Sequence, residues 1–503
     1  MLTDRPSSVN EPNCISIAES DNSSNKDKIG RLRDVGCVLP HEDGLRVTKQ
    51  TPRIALLTPY NGGNLGDAVI QDALIANIRL RLPGVRFSGI SLNGDNFVAR
   101  HGAGSFPLCG WDDPFYRMYR GRIEDQAENN ESCVRQSGKN GRGSTLIKKV
   151  LTRAPALQRW LKTLRALGAR VYRELLHCAG GYRFLRNQDL LVVSGGGQLD
   201  EEWGGPWGHP FTLFKWAVLA RIARVPYAIA SVGACKITST TSRFFLSAAL
   251  RMARYRSYRD KRSREVAAHL FQRAASDSIV PDLAFSLPPS ELPLPAGIKS
   301  ISQGRSLVAI SPIAFARPES WPSPNRALHE RYIHQMTDVV SQLLHRGCFL
   351  VIVCSSLGDD ERVIPDILER LDDEAKELVA RQIYIPRVTT WKDLASYLGD
   401  VDLLISSRLH SAILGFLTQT PTVAISFDPK VDSVMEDLNQ TENLLHIGDF
   451  TAKGVMEALD RIERRSTLVQ KQVATHMDEI RSVCALQYDA VAGFVMARRR
   501  STI

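Results

Sequence analysis

The feature that most constrains the fold is a regular alternation between short apolar runs and longer segments of helical periodicity. After residue 305, helical patterns separate a series of apolar runs at 306–311, 349–354, 382–385, 402–405 and 421–426. Strands that alternate with helices in this way form a parallel sheet with helices on both faces. A similar series begins at Arg53. The sequence therefore predicts an α/β protein with two Rossmann-like domains, 51–290 and 305–450, that face each other across a cleft.

Three further segments do not follow this alternation. Residues 1–50 are rich in Ser, Asn, Asp and Lys and poor in aromatic residues, a composition typical of disorder. The alternation is also lost between 93 and 188, which we interpret as an insertion in the first domain. The last segment, 451–503, has a helical pattern and is interpreted as a C-terminal helical tail.

The insertion contains a basic amphipathic helix at 146–186. The chain has a formal net charge of +10, and nearly all of this excess lies in the insertion, where Glu174 is the one acidic residue among many lysines and arginines between 146 and 188. Three interpretations are open: peripheral contact with an anionic membrane surface, packing against its own protein or a second subunit, and nucleic-acid binding. The third is the least favoured, and we expect no nucleic-acid partner.

Cysteine usage and hydropathy predict a cytoplasmic protein. The nine cysteines include no CxxC pair and no metal-type spacing, which indicates reduced thiols and no metal site. The most apolar segment, 217–234, is interrupted by Arg221 and Arg224, so no membrane span is predicted. The first residues lack the apolar core of a signal peptide. If the basic helix binds lipid, the protein works at the inner face of the cytoplasmic membrane.

Polar side chains follow two neighbouring predicted strands of the second domain. Arg408 and His410 lie between the strand at 402–405 and the next helix, and Asp428 and Lys430 follow the next strand along the chain. Ligands of open α/β sheets bind at the carboxyl ends of the strands. A guanidinium, an imidazole and a helix N-terminus at one edge suit a phosphorylated, anionic substrate.

The first domain contributes three groups of candidate residues. The loop at 61–67 is rich in glycine and leads into a helix, so its backbone amides can approach an anion. A triple-glycine turn at 195–197 follows a buried strand, and Arg259 follows another. The candidates in these segments are Asn64, Gly66, Asp67, Gly196, Gly197, Gln198 and Arg259.

Together these motifs resemble the polysaccharide pyruvyl transferase family. The resemblance rests on four stretches in the order of the family: 61–67, 194–199, the pair Tyr258-Arg259-Asp260 and Pro281-Asp282-Leu283-Ala284, and Arg408-Leu409-His410 with Asp428 and Lys430. It implies a glycosyltransferase-B-like arrangement of the two domains. It also implies transfer of the enolpyruvyl group of phosphoenolpyruvate to a saccharide acceptor, in a polysaccharide or its lipid-linked precursor, without metal or cofactor.

The resemblance also assigns roles. It implies that His410 is the catalytic acid and base. Asp67 is a second catalytic candidate because of its own position, since a carboxylate at the start of the helix that faces the cleft could orient or deprotonate the acceptor hydroxyl. The resemblance places the anionic donor against Arg408, Lys430 and Arg259. The other predicted substrate-binding residues are Asn64, Gly66, Gly196, Gly197, Gln198 and Asp428.

Each of these residues also has a structural explanation. Arg408 can close its loop with a salt bridge, His410 can bond to backbone, Lys430 can be solvated, and Arg259 can pair with Asp260. Asp67 can cap its helix, the glycines can form a tight turn, and Asp282 is interpreted as structural. Other functions also stay open: a nucleotide-sugar glycosyltransferase, a sugar-phosphate epimerase, or a non-catalytic membrane-associated scaffold.

Overall fold

The computed structural model describes residues 51–60, 62–110, 155–202 and 204–500, with backbone alone for 155–164 and Ser466. The predicted disorder of residues 1–50 and the first part of the insertion helix, 146–154, lie outside the described residues.

The first domain is built on a parallel sheet of eight strands in the order β3-β2-β1-β4-β6-β7-β8, with β5 paired to β6. Its strands are β1 (Arg53–Leu57), β2 (Arg86–Ser91), β3 (Ser105–Pro107), β4 (Leu190–Ser194), β5 (Gly197–Leu199), β6 (Tyr227–Ala234), β7 (Tyr255–Tyr258) and β8 (Ser278–Ile279). Its helices are α1 (Leu65–Arg81), α2 (Gly94–His101), α3 (Pro155–Leu185), α4 (His209–Ile222), α5 (Thr240–Met252) and α6 (Lys261–Leu270).

The second domain has a parallel sheet of six strands in the order β11-β10-β9-β12-β13-β14. These strands are β9 (Leu307–Ser311), β10 (Phe349–Ile352), β11 (Ile383–Tyr384), β12 (Leu403–Ser406), β13 (Thr422–Ser426) and β14 (Leu444–His446). The helices are α7 (Arg326–His345), α8 (Val363–Leu368), α9 (Asp373–Gln382), α10 (Trp391–Leu398), α11 (Leu409–Leu417), α12 (Pro429–Asp437) and the terminal α13 (Ala452–Arg500).

The predicted fold is confirmed: two Rossmann-like α/β domains face a cleft. The central strands β1, β4, β9 and β12 are apolar and almost wholly buried, as expected of strands that are covered on both faces. Because all strands are parallel, their carboxyl ends lie at one edge of each sheet. The two edges meet at the cleft, which is where the predicted site residues lie.

The predicted start of the insertion is wrong. Residues 94–107 belong to the first domain, because α2 packs Phe97 into the core against Gly89 and β3 pairs with β2. The side chain of Asn93 caps α2 by accepting a hydrogen bond from the amide of Asn96 (2.9 Å). Only Phe97 of α2 is buried, so the sequence there lacks the apolar periodicity on which the prediction relied.

Two elements of the second domain also differ from prediction. The expected helix at 359–372 is a short 3₁₀ turn followed by α8, and a separate helix, α9, begins after Asp372. The Asp372 side chain accepts a hydrogen bond from the Ala375 amide (2.8 Å), which stabilises this new start. The short edge strand β14 extends the sheet beyond the last predicted strand, pairing with β13.

The terminal helix α13 joins the two domains. It begins on the second domain, has a non-helical residue at Arg465, and then packs on the first domain. There the hydroxyl groups of Tyr488 and Ser286 lie 2.8 Å apart, and Arg81 forms a 2.6 Å ion pair with Asp489. Apolar residues of both domains and of α13 form one continuous core. Among the described residues, no helix combines the length and the apolarity needed to cross a bilayer.

Candidate active site

A cleft of about 420 Å³ opens between the carboxyl edges of the two sheets. The first domain lines it with the glycine loop and the loops after β4, β6 and β7, and the second domain with the loops after β10, β12 and β13. Its lining includes most of the predicted site residues: Asn64, Asp67, Gly196, Gly197, Gln198, Arg259, Arg408, His410, Asp428 and Lys430.

His410 lies at the centre of this cleft, in the first turn of α11. One side of its imidazole contacts Gly66, and a Cβ at position 66 would overlap the ring. On the other side, Nε2 lies 3.7 Å from the carboxylate of Asp282. Gly66 and Asp282 belong to the first domain and His410 to the second, so this arrangement exists only when the two domains are closed together.

Asp282 is a site residue that the sequence analysis interpreted as structural. It is buried, with 1% of its surface exposed. One carboxylate oxygen accepts a hydrogen bond from the Ala284 amide (3.0 Å), and the other faces His410 and Nη1 of Arg259 (3.4 Å). Burial raises the pKa of Asp282, but His410 and Arg259 outweigh it and lower the pKa to about 2. The carboxylate is therefore ionised and holds a negative charge beside the imidazole.

The glycine loop is attached to the second domain by backbone pairing. The amide of Leu65 donates to the carbonyl of Ser355 (2.9 Å), and the amide of Leu357 donates to the carbonyl of Gly63 (2.9 Å). Asn64 caps α1, since its side-chain oxygen accepts from the Gly66 amide (3.0 Å). Asn61, the first residue of the predicted loop, lies outside the described residues.

Asp67 does not cap its helix, so that structural explanation is wrong. Its carboxylate instead accepts a hydrogen bond from the side chain of Asn64 (3.0 Å) and faces the cleft beside Gly196. Burial raises the pKa of Asp67, His410 opposes this shift, and the charge of Asp282 adds to it. A carboxylate with a raised pKa at the edge of a cleft is suited to accept a proton.

Arg408 lines the cleft but is also committed to a salt bridge. Its Nε and Nη2 bind the two carboxylate oxygens of Asp360 at 2.8 and 2.5 Å. Asp360 is fully buried and also accepts from the amides of Ala314 and Ser356 (3.1 and 3.2 Å). The structural explanation of Arg408 is thus correct. Among the described residues, no acceptor bonds to Nη1, so this edge of the guanidinium is the one available to a ligand.

Arg259 also pairs within its own domain. Its guanidinium lies 3.5 Å from Asp260 and 3.4 Å from Asp282, and it packs closely on Gly233, where a Cβ would lie 2.6 Å from Nη2. The expected pair with Asp260 is therefore present. Arg259 still lines the cleft, on the side opposite the second-domain cations.

Lys430 and Asp428 lie at the start of α12. Asp428 caps this helix by accepting a hydrogen bond from the Lys430 amide (3.0 Å). The ammonium of Lys430 lies 3.6 Å from the Asp428 carboxylate and 4.8 Å from the centre of the Phe427 ring. Burial raises the pKa of Asp428, but the charge of Lys430 outweighs it and the pKa is lowered. Lys430 is about one third exposed, so its charge faces the open part of the cleft.

At the triple-glycine turn, the backbone of Gly196 and Gly197 lines the cleft, and the side chain of Gln198 bonds to the turn itself. Gly196 has a φ of 71°, in the left-handed region that favours glycine. The side-chain nitrogen of Gln198, Nε2, donates to the carbonyls of Ser194 and Gly195 (3.2 and 2.9 Å), and its side-chain oxygen lies 2.9 Å from Nε2 of His209. The side chain of Gln198 therefore stabilises the turn, while Gly197 leaves open space above the backbone.

Three carboxylates of the site were missed from sequence. Asp282 and Asp360 are described above, and Glu202 lines the cleft in the loop after β5. Burial raises the pKa of Glu202, Asp200 adds to the shift, and Lys430 opposes it. Asp282 could have been found from its Pro-Asp motif after a strand, whereas Asp360 and Glu202 have no comparable signal.

The fold and the site define a class of protein. Two Rossmann-like domains with a charged cleft between the carboxyl edges of their sheets form a glycosyltransferase-B-like protein. The sequence model of the polysaccharide pyruvyl transferase family matches residues 64–429, which is most of the chain. The chain therefore belongs to the polysaccharide pyruvyl transferase family, a family of transferases of polysaccharide biosynthesis.

Solved structures show similarity at the level of the fold alone. The N-terminal domain of trehalose-6-phosphate phosphatase from Candida albicans is 10% identical, with a TM-score of 0.50 over 91% of this chain and 99% of that one. A glycosyltransferase from Rickettsia africae is 12% identical, with a TM-score of 0.48 over 89% and 99%. A UDP-GlcNAc 2-epimerase from Methanocaldococcus jannaschii is 8% identical, with a TM-score of 0.45 over 82% and 92%.

Proposed function

We propose that the protein transfers the enolpyruvyl group of phosphoenolpyruvate to two hydroxyls of one sugar, forming a cyclic pyruvate ketal and releasing phosphate. The observation that carries this proposal is the position of His410, held between Gly66 and the ionised Asp282 inside a cleft that has cations on both sides. The reaction needs an acid that protonates the methylene carbon of phosphoenolpyruvate, and cations that bind its carboxylate and its phosphate. This cleft offers both.

The anionic groups of the donor bind between the domains in this proposal. Lys430 is about one third exposed and lines the cleft from the second domain, as does Arg408 with its Nη1 edge. Arg259 faces them from the first domain. Compact ammonium and planar guanidinium groups suit phosphate and carboxylate respectively. The proposed reaction requires no metal and no further cofactor.

His410 supplies the proton that starts the reaction. A C–H bond forms at the methylene carbon of phosphoenolpyruvate, and positive charge develops at the adjacent carbon. The first sugar hydroxyl adds to that carbon and loses its proton. The C–O bond to phosphate then breaks, and its electron pair leaves with phosphate, which takes up the proton of the first hydroxyl. The second hydroxyl adds to the same carbon and gives its proton to the now neutral His410, which completes the ketal and restores the acid. Asp282 positions the imidazole and stabilises its protonated form, because the carboxylate lies 3.7 Å from Nε2.

Asp67 is the proposed base for the acceptor. It lies across the cleft from Lys430 in the first domain, and its raised pKa suits proton acceptance. Gly196 and Gly197 leave room for a sugar ring close to the backbone. The acceptor is a saccharide of a polysaccharide or of its lipid-linked precursor, and we propose that the protein meets it in the cytoplasm, at the inner face of the membrane.

The proposal is tested with phosphoenolpyruvate and a panel of simple glycosides that carry neighbouring free hydroxyls. We expect one glycoside to gain the mass of pyruvate less one water, with release of one phosphate per product. His410→Gln should abolish both signals while leaving the fold intact. Transfer of a sugar from UDP-sugars to the same panel, without any ketal, would instead establish the glycosyltransferase alternative.

A further inference from the structure

Part of α3 stands away from the body of the protein. Every residue from 165 to 173 is exposed, whereas a helix that packs on a domain buries a side chain every three or four residues. The next turns do pack, because Glu174 and His177 are buried and Lys215 of α4 forms a 2.7 Å ion pair with Glu174. The helix is thus fixed at its C-terminal end and projects at the preceding turns.

The projecting helix carries an apolar stripe in water. Its exposed apolar residues recur at a spacing of four in two adjacent rows, so they share one side of the helix. Each has more than half of its surface exposed: Leu167 55%, Val171 52%, Tyr172 62%, Leu175 63% and Leu176 55%. Contiguous apolar surface of this kind marks a site of contact with another apolar phase.

The charge of the same helix selects the partner. In α3 from residue 165 onward and in the two residues that follow the helix, five arginines are exposed, at 165, 170, 173, 183 and 186. The one acidic residue of this segment, Glu174, is buried in its pair with Lys215. A second copy of the chain would present the same positive charges and be repelled. A nucleic acid would match the arginines but would leave the apolar stripe in water.

We infer that residues 165–176 of α3 dock on the surface of an anionic lipid bilayer. The apolar stripe enters the boundary between headgroups and acyl chains, and the arginines bind the anionic headgroups. Tyr172 is suited to the headgroup level, since its ring is apolar and its hydroxyl is polar. The contact is peripheral and independent of the nature of the donor substrate.

The full chain is tested by sedimentation with vesicles of phosphatidylcholine alone and of phosphatidylcholine mixed with phosphatidylglycerol. We expect binding to the mixed vesicles that weakens with salt, and much weaker binding to phosphatidylcholine alone. Replacing Arg165, Arg170 and Arg173 by Gln should weaken binding roughly a hundredfold. Serine at positions 167, 171 and 175 should abolish it. These side chains are exposed, so circular dichroism should show an unchanged fold.

The matched control replaces three exposed arginines of the second domain, Arg326, Arg331 and Arg381, by Gln. This variant should bind the mixed vesicles like the unmodified protein. The inference is overturned if the α3 arginine variant also binds normally, or if binding to the two kinds of vesicle is equal. It is equally overturned if the serine substitutions dissociate a dimer, or prevent binding to duplex DNA, while vesicle binding persists.

Discussion

The His410 imidazole lies against the backbone of Gly66 at the centre of the cleft. The glycine has no side chain, so the imidazole of the second domain can lie against the backbone of the first. Asp282 fixes the other side of the ring. Two residues of the first domain therefore set the position of the His410 imidazole.

Gly66→Ala should lower the turnover number by about a hundredfold, because the new Cβ must displace His410 and a shift of about 1 Å at a catalytic group has effects of this size. Steady-state phosphate release is the measurement. Gly104→Ala is the matched control, since a Cβ at Gly104 meets no atom within 4 Å. Equal activity of the two variants would show that His410 is not held by Gly66.

Asp282 should make the stability of the protein depend on acid pH. Its pKa is about 2 in the folded protein, against an ordinary value of 3.8. The ionised form thus stabilises the fold by about 2 kcal/mol at pH values above about 4, and this contribution is lost as the pH falls through about 2. Urea unfolding of the unmodified protein and Asp282→Asn should show a difference that shrinks by about this amount over that range. A constant difference would contradict the assigned pKa.

Site residues were predictable where the residues of a motif lie close together in one loop. His410, Lys430 and the glycine loop were identified in this way, and the structure brings them to one cleft. Asp360 and Arg408 are 48 positions apart, and Asp282 is still farther from His410 in the sequence. Such pairs depend on tertiary packing, so even where a motif marks one residue, the sequence does not show which residue it pairs with.

At the scale of elements, the end of α3 is fixed by a buried ionic cluster. Lys215 bonds to the Leu108 carbonyl (3.2 Å) and pairs with Glu174, which also accepts from the Gly110 amide (3.1 Å). Nε2 of His177 lies 2.8 Å from the carbonyl of Pro107. Burial lowers the pKa of His177, and the charge of Lys215 lowers it further.

Lys215→Met should destabilise the protein by about 3 kcal/mol, because it leaves Glu174 buried without its cation. The double variant Lys215→Met with Glu174→Gln removes both charges and should recover most of this loss. Urea unfolding of the two single variants and the double variant provides the test. Strictly additive losses would mean that the two side chains do not stabilise each other.

Elements with strong periodicity were predictable and short polar ones were not. The buried strands and α7 follow apolar patterns over most of their length. In α2, only Phe97 is buried, and α9 and β14 likewise present few apolar residues to the core. Their positions are decided by caps and by neighbouring strands, which the periodicity of one segment does not reveal.

At the scale of the whole molecule, α13 and the glycine loop hold the two domains in the closed arrangement. Tyr488 is buried against the first domain with 1% of its surface exposed, and the indole of Trp391 in the second domain donates to Asp72 of the first (2.5 Å). The sequence predicted a helical tail, and its return to the first domain became visible only in the structure.

Tyr488→Ala should lower the free energy of unfolding by about 4 kcal/mol, because it removes a buried aromatic ring from the core that the two domains share. Tyr488→Phe keeps the ring and loses the bond to Ser286, so about 1 kcal/mol is expected. Chemical denaturation of both variants distinguishes the contributions. A loss in the Phe variant as large as that in the Ala variant would assign the effect to the hydroxyl alone.

The proposed reaction requires that the cleft bind phosphoenolpyruvate through cations of the second domain. Lys430 has a matched control in Lys392, which likewise pairs with a carboxylate, Glu291 (3.4 Å), and lies over an aromatic ring, Trp391 (5.4 Å).

The most direct measurement is the melting temperature with phosphoenolpyruvate, with UDP-sugars and with neither, since a ligand that binds the folded state raises it by mass action. We expect a rise with phosphoenolpyruvate that is lost in Lys430→Met and kept in Lys392→Met. A rise with UDP-sugars alone, or one that both variants keep in full, would contradict this expectation.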